Sequence, residues 1–355
     1  MKFAEVPGVL PEPALAARWR RPVALALLPV LVVAAALAIQ AGYAAVPQSI
    51  IVELLGYSMS LGDFALVLVR KLAVPALVLP IVFAVEAACC GWEDSSLRAI
   101  LKRPSRSIRS DITMFLVIHS PLFRLARIVF TLGLVQIAGD VARIWLQQTT
   151  GLNLSLAGWP LVAMVPALLL VDTFLDYWAH RIQHSRHFWP VHRFHHAADE
   201  FSVLTADRIH PGDLPQLVFS FFLIGLFVVP EDVFLVYSTL IVALRYTIHS
   251  RIDTDFGWIG RWLVLSPGHH RAHHAYVNRA SGNFALITLW DRLFGTLQPT
   301  VGRATPIGVE RDYRHGYWTG ADLVRDSIEM VREIVRPGDV QDRMVADSPS
   351  IRKEG

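Results

Sequence analysis

Residues 22–46 (PVALALLPVLVVAAALAIQAGYAAV) carry no charged side chain and directly follow Arg18, Arg20 and Arg21. An apolar run of that length crosses a hydrocarbon core of about 30 Å as a helix. Inside lipid such a segment must satisfy its own backbone hydrogen bonds, which restricts it to helix or closed barrel. Further apolar stretches repeat the constraint. The second is 72–90, the uninterrupted part of 64–90 beyond Arg70 and Lys71; the fourth is 158–175. A third lies within 114–146 and must accommodate Arg127, Asp140 and Arg143, the last two spaced to pair on one helix face. Two shorter pieces, 214–229 and 233–244, flank Pro230, Glu231 and Asp232 and read as a helical hairpin that dips into or crosses the membrane.

Composition agrees with this pattern. AVILMFWYC residues make up 53% of the chain, DEKR only 18%, and mean hydropathy is +0.42, whereas soluble domains are about 25% charged. Disordered, collagen-like and coiled-coil chains are excluded. Cys89 and Cys90 are neighbours, so a disulfide scaffold is excluded too. A net charge of +3 is too mild to imply nucleic acid. Basic residues instead order the spans. Arg18–Arg21 and the 91–111 loop, with Arg98, Lys102, Arg103, Arg106 and Arg109, belong on the cytosolic side. The expected fold is an all-α integral membrane protein. It has about four transmembrane helices plus a membrane hairpin, and a cytosolic helical cap formed by the chain after 176. Val324, Ile328, Val331 and Val335 then mark an amphipathic helix over 319–336, stopped by Pro337–Gly338 and expected to dock on the cap or the membrane surface.

Twelve of the fourteen histidines fall between 180 and 274. Three groups have regular spacing: HRIQH at 180–184, HRFHH at 192–196 and HRAHH at 270–274. On a helix, positions three and four apart share a face. His180 with His184, His192 with His195 and His196, and His270 with His273 and His274 are therefore expected to point together. Eight imidazoles from three segments exceed what one tetrahedral ion takes, so two metal ions sharing the set is the simpler account. Nitrogen donors without thiolate suit iron, and leave zinc and copper open. No HExxH occurs, which removes the zincin reading. A histidine-rich metal-binding or transport protein would place ligands within its spans; here the boxes follow them. Asp172, Asp176, His180 and His184 recur every four residues, and metal-bound imidazoles commonly donate to a carboxylate, so Asp176 is a supporting candidate. Asp172 lies deeper and needs a partner. His269 falls outside the box pattern and is expected at the surface; His187 lies between boxes, off the repeating pattern; His119 and His315 carry no expectation of a site. Trp178, Trp189, Trp258, Trp262 and Trp290 read as an interfacial belt.

From 158 to 300 the order of motifs resembles the sterol desaturase and fatty acid hydroxylase superfamily of membrane di-iron oxygenases. The span ends in DTFLDYWAHRIQH, followed by FWPVHRFHHAADEFSVLTADRIHP, the hairpin, SPGHHRAHH, and WDRLFGT at 290–296. The resemblance implies a metal set of His180, His184, His192, His195, His196, His249, His270, His273 and His274, with His210 as a further ligand or supporting residue. It implies two iron ions, O2 as co-substrate, and hydroxylation or desaturation of a membrane lipid such as a sterol or a fatty acyl or sphingolipid chain. A carotenoid or other isoprenoid ring hydroxylase is the alternative within that chemistry. Electrons would come from a separate cytosolic donor, a small cytochrome or a ferredoxin with its reductase. Asn283, Asp291 and Arg292 fit family positions but are expected to cap a loop. The chain divides into a membrane region at 1–150, a hydroxylase-like domain at 151–300 and a tail at 301–355.

Overall fold

The computed structural model describes residues 15–47, 49–54, 57–60, 65, 69–102, 104–120, 123, 134–156, 158–216, 218–219, 226–227, 229–275, 282–309 and 318–335. The chain is predominantly helical. Helix α1 covers Leu15–Ala44, and a short antiparallel hairpin follows, β1 (Ile51–Leu54) against β2 (Tyr57–Ser60), with Ile51 opposite Ser60 and Leu54 opposite Tyr57. Next come α2 (Val74–Cys90), α3 (Ser96–Lys102), α4 (Arg106–His119) and α5 (Leu134–Thr150). The histidine-bearing half comprises α6 (Leu161–Gln183), α7 (Trp189–His196), α8 (Glu231–Ile248), α9 (Gly257–Trp262), α10 (Pro267–His273) and α11 (Thr288–Leu293), and α12 (Thr319–Val335) closes the described chain.

Among the described residues, two helices are long and apolar enough to cross a membrane, Arg20–Ala44 within α1 and Leu161–Gln183, which is α6; α2 is apolar but shorter. The expected third span falls partly outside the described residues. Helix α4 stops at Ser120, whose backbone turns extended, and α5 begins only at Leu134. Residues 124–133 lie outside the described set. On α5, Arg143 does donate to Asp140, at 3.2 Å. Of the 214–244 hairpin, α8 is described as a buried helix entered through Pro230, while 220–225 are outside the described residues.

Helices α1, α2 and α8 share one apolar seam. Val32, Ile39 and Tyr43 meet Val74, Val78 and Val82, and both sets meet Leu235, Ala243 and Tyr246. A second seam joins α6 to α8 through Met164, Val165 and Leu168 against Val233, Val236, Tyr237 and Ile241. Both α6 and α8 therefore direct their C-terminal ends to the same place. Local signals set the helix starts nearby: Ser105 accepts from the Ile108 N–H at 3.1 Å to cap α4, and Ser266 caps α10 with Pro267 in its first turn.

Helix α12 forms where its period places it, and it meets the cap through its polar face. Val324, Ile328, Val331 and Val335 stay exposed, while Asp322 and Asp326 are buried. Arg193 donates to Asp326 at 2.9 Å and also reaches Glu329. Charge pairing to α7 and the packing of Leu323 against Met114, Ile118 and Phe194 hold this helix on the cap. Residues 336–355 and His315 lie outside the described set.

Candidate metal centre

Four segments supply the histidines. His180 is in the last turn of α6 and His184 caps it; His192, His195 and His196 lie on α7; His249 caps α8; His270 and His273 lie on α10, with His274 at its cap. The structure sorts them into two groups whose candidate ligand atoms lie within 4.8 Å of one another: His180, His184, His192, His196 and His273 in one, and His195, His249, His270 and His274 in the other. The groups adjoin, since the rings of His196 and His274 stack with centroids 4.2 Å apart.

The boxes do not stay together as spacing alone suggested. Each i,i+4 pair remains in one group, whereas His195 and His273 cross to the group opposite their box partners. At about 100° per residue, positions four apart differ by roughly 40° and neighbours by roughly 100°. A short helix wedged between two sites can thus serve both.

Hydrogen bonds fix which nitrogen faces inward. The Nδ1–H of His180 donates to the Phe284 carbonyl at 2.7 Å, that of His273 to Gly282 at 2.7 Å, that of His249 to Arg245 at 2.7 Å, and that of His195 to Arg208 at 3.3 Å. His192 Nδ1 lies 3.4 Å from the Asp213 carboxylate, which also accepts from Gln183 at 2.6 Å. A neutral imidazole has one N–H, so each of these rings turns an Nε2 lone pair toward the centre. Burial holds His184, His195, His196, His270, His273 and His274 well below the ordinary histidine range, and takes His249 down to about 3. These rings are therefore neutral at pH 7.

Two consequences test whether cations fit. First, His195 and His249 bring their Nε2 lone pairs to 3.3 Å, an arrangement that repels unless a cation lies between them. His192 and His196 approach at 3.2 Å, His249 and His270 at 2.8 Å. Metal–nitrogen bonds of about 2.0–2.1 Å at angles of 90–109° place adjacent nitrogens roughly 2.9–3.4 Å apart. Second, Nε2 of His180 and His273 and both nitrogens of His184 and His274 are buried without a hydrogen-bond partner among the described residues. Each such orphan costs about 1–3 kcal/mol. The donor set and its geometry fit two transition-metal ions.

The other candidates fall elsewhere. His210 is outside both groups: its Nε2–H donates to the Leu323 carbonyl at 2.9 Å and its Nδ1 accepts from the Gly212 N–H at 2.9 Å, so it ties α12 to the cap. Asp176 touches no histidine by hydrogen bond; it accepts from Gln216 at 2.9 Å and Arg245 at 3.2 Å. Asp213, three residues after His210, holds the carboxylate place instead. His269 is buried, not surface-exposed, with Nδ1 2.8 Å from the Ser266 hydroxyl. Trp189 is likewise no belt residue, because it packs against His184 and His196 with ring centroids 5.2 Å away. Asp172 finds its partner in Tyr237. Asp291 accepts from the Phe284 and Ala285 N–H groups at 3.0 and 2.9 Å, which presents the Phe284 carbonyl to His180. Asn283, at φ 60°, bridges His269 and Gln298.

Two carboxylates outside the histidine segments brace the centre, and spacing gave no sign of them. Asp111 of α4 accepts from Arg208 at 3.2 Å and from the Ser202 and Thr205 hydroxyls at 2.8 Å. Arg208, fully buried, also donates to the Phe194 carbonyl at 2.7 Å, and its own carbonyl receives His195. Glu86 of α2 accepts from Ser96 and from the Arg251 N–H, each at 2.7 Å.

Residues 165–296, the segment that carries the histidine boxes, match the fatty acid hydroxylase family model. The chain is similar to an alkylglycerol monooxygenase of Xenopus tropicalis, 31% identical over 128 residues, covering 35% of this chain and 28% of that one. An ornithine lipid hydroxylase, OlsE, of Rhizobium tropici is 29% identical over 166 residues, 45% of this chain and 49% of its own length. Methylsterol monooxygenase 2-2 of Arabidopsis thaliana is 26% identical over 139 residues, 38% and 52% respectively. The matched segment thus spans about half or less of each of these relatives. No solved structure matches the chain.

Proposed function

We propose that this chain is a membrane-bound, O2-dependent di-iron oxidoreductase that hydroxylates or desaturates a lipid. The observation that carries the reading is the pair of inward-facing imidazole groups, His180, His184, His192, His196 and His273 beside His195, His249, His270 and His274. Bound there, two iron ions would supply the oxygen activation needed to attack an unactivated C–H bond, chemistry beyond side chains alone. The protein's own contribution is positional. Backbone carbonyls of Phe284, Gly282, Arg245 and Arg208 hold four rings in one tautomer. Ile248, Leu265, Phe284 and Leu286 supply apolar wall to the adjoining cavity. The names of these three relatives, an alkylglycerol monooxygenase, an ornithine lipid hydroxylase and a methylsterol monooxygenase, support a lipid substrate. Ligands gathered at helix ends, with no second set along a bilayer path among the described residues, favour this reading over metal transport.

The electron donor is then a separate cytosolic protein, with the histidine boxes and the 91–111 segment on the cytosolic side. In a Cys89→Ser/Cys90→Ser background, a cysteine at 186 should resist labelling from outside intact cells; labelling there would reverse the orientation. The activity itself is tested by lipid mass spectrometry on cells with and without the chain. A 16-mass-unit gain or 2-unit loss in one lipid class is expected, absent with His195→Ala. Identical lipid profiles at good expression would overturn the proposal.

A further inference from the structure

The cavity beside the histidines is not apolar throughout. Besides His180, His192, His195, His249 and His270, from both groups, it is lined by Asp176, Gln216 and Arg245. Asp176 sits one turn before His180 on α6, and Arg245 one turn before His249 on α8. Because both helices end at the metal centre, these side chains form a polar shelf at one level, about 6 Å below the imidazoles.

Arg245 donates to Asp176 at 3.2 Å and, among the described residues, its guanidinium has no other hydrogen-bond partner. Its side chain keeps 32% exposure although Asp176 keeps only 11%. A guanidinium has five N–H donors, so most remain available to the cavity. Ionisable side chains at such depth are costly and are retained where they do something. The cavity is small, about 90 Å³; it admits the reacting end of a lipid, not a whole molecule.

Resting on the oxygenase reading above, we propose that the substrate carries an uncharged hydroxyl or amide group close to the carbon attacked, held by Arg245 and Asp176. The charge balance selects the class. Arg245 is already paired, and a turn further down Asp172 adds a second carboxylate bonded to Tyr237. A phosphate or free carboxylate would meet both acids. A hydroxyl or amide instead accepts from the guanidinium and donates to Asp176. A shelf roughly 6 Å from the imidazoles places that group about four or five bonds or fewer from the oxidised carbon. A plain alkyl chain leaves the shelf's donors unmet, at the cost of desolvating them.

Two experiments bear on this. In cells expressing the chain, tandem mass spectrometry locates the new oxygen or double bond; it is expected within about five bonds of a hydroxyl or amide. Arg245→Met should lower product about tenfold or more, the loss of a hydrogen bond to a charged group, with the metal content of wild type, and Arg245→Lys should recover part of it. Oxidation at mid-chain or at a terminal methyl, or an unchanged yield from Arg245→Met, overturns the inference and leaves the oxygenase reading standing. No oxidised lipid from wild type overturns both. Independently of turnover, purified wild type in detergent should be thermally stabilised by 1-hexadecanol but not by hexadecane, and Arg245→Met should lose the difference. Equal response of wild type to the two compounds would refute the polar shelf.

Discussion

Asp111→Ala isolates the coupling between the N-terminal helices and the metal centre. Asp111 and Arg208 are both fully buried and 3.2 Å apart. Removing the carboxylate takes the acidic partner Asp111 from a buried guanidinium that keeps its bonds to Phe194 and Ser107. Breaking a buried pair from one side costs about 3–5 kcal/mol. The Ser202 and Thr205 hydroxyls lose their acceptor as well. The matched control is Asp140→Ala. Asp140 pairs with Arg143 at a comparable 3.2 Å, but its side chain is 46% exposed, and exposed pairs contribute about 0–1 kcal/mol. Thermal unfolding in detergent, followed by tryptophan fluorescence, should show a drop of roughly 5–10 °C for Asp111→Ala and about 2 °C or less for Asp140→Ala. Because the Arg208 carbonyl orients His195, metal analysis of Asp111→Ala should also show partial loss from the group of His195, His249, His270 and His274. Equal, small shifts in the two variants, with full metal content in both, would refute the claim that Asp111 and Arg208 brace the site.

Three further outcomes are expected. His195→Ala should lose metal and almost all product at similar protein levels, while His187→Ala, in the same segment but outside both groups, should remain near normal; equal activity in the two would remove the spacing argument. Asp213→Ala should weaken metal affinity about 10–100-fold, the usual effect of removing a carboxylate behind a ligating imidazole, measured by chelator competition. The buried histidines, depressed below the unfolded value of about 6.5, are neutral when folded, so the unfolded chain binds more protons as pH falls. Stability and metal retention should be complete above about pH 6.5 and decline below it. A pH titration of bound metal that stays flat to pH 4 would contradict the assigned burial.

How much of the site could be read beforehand depends on range in sequence. The spacing of four between His180 and His184, His192 and His196, and His270 and His274 is a local helical property, and those pairs do stay together. Which pairs combine is not local. His195 and His273 change groups because α7 and α10 lie between two centres, and that follows only from how α6 and α8 bring their ends together. His210 stands in the same stretch as its neighbours yet serves α12, while Asp213 serves His192.

The sequence by itself determined the apolar runs that become α1, α2 and α6, the histidine spacing and the 319–336 helix, because each depends on periodicity over one to a few turns. Tertiary structure alone decided the partition of nine imidazoles into five and four, the choice of Asp213 over Asp176 beside them, and the bracing by Glu86 and Asp111. It also turned the apolar stripe of α12 outward. Helical period states which side chains share a face, but not what that face meets. For α12, Asp326 and Glu329 meet Arg193, more than a hundred residues away in sequence, a contact that no local period announces.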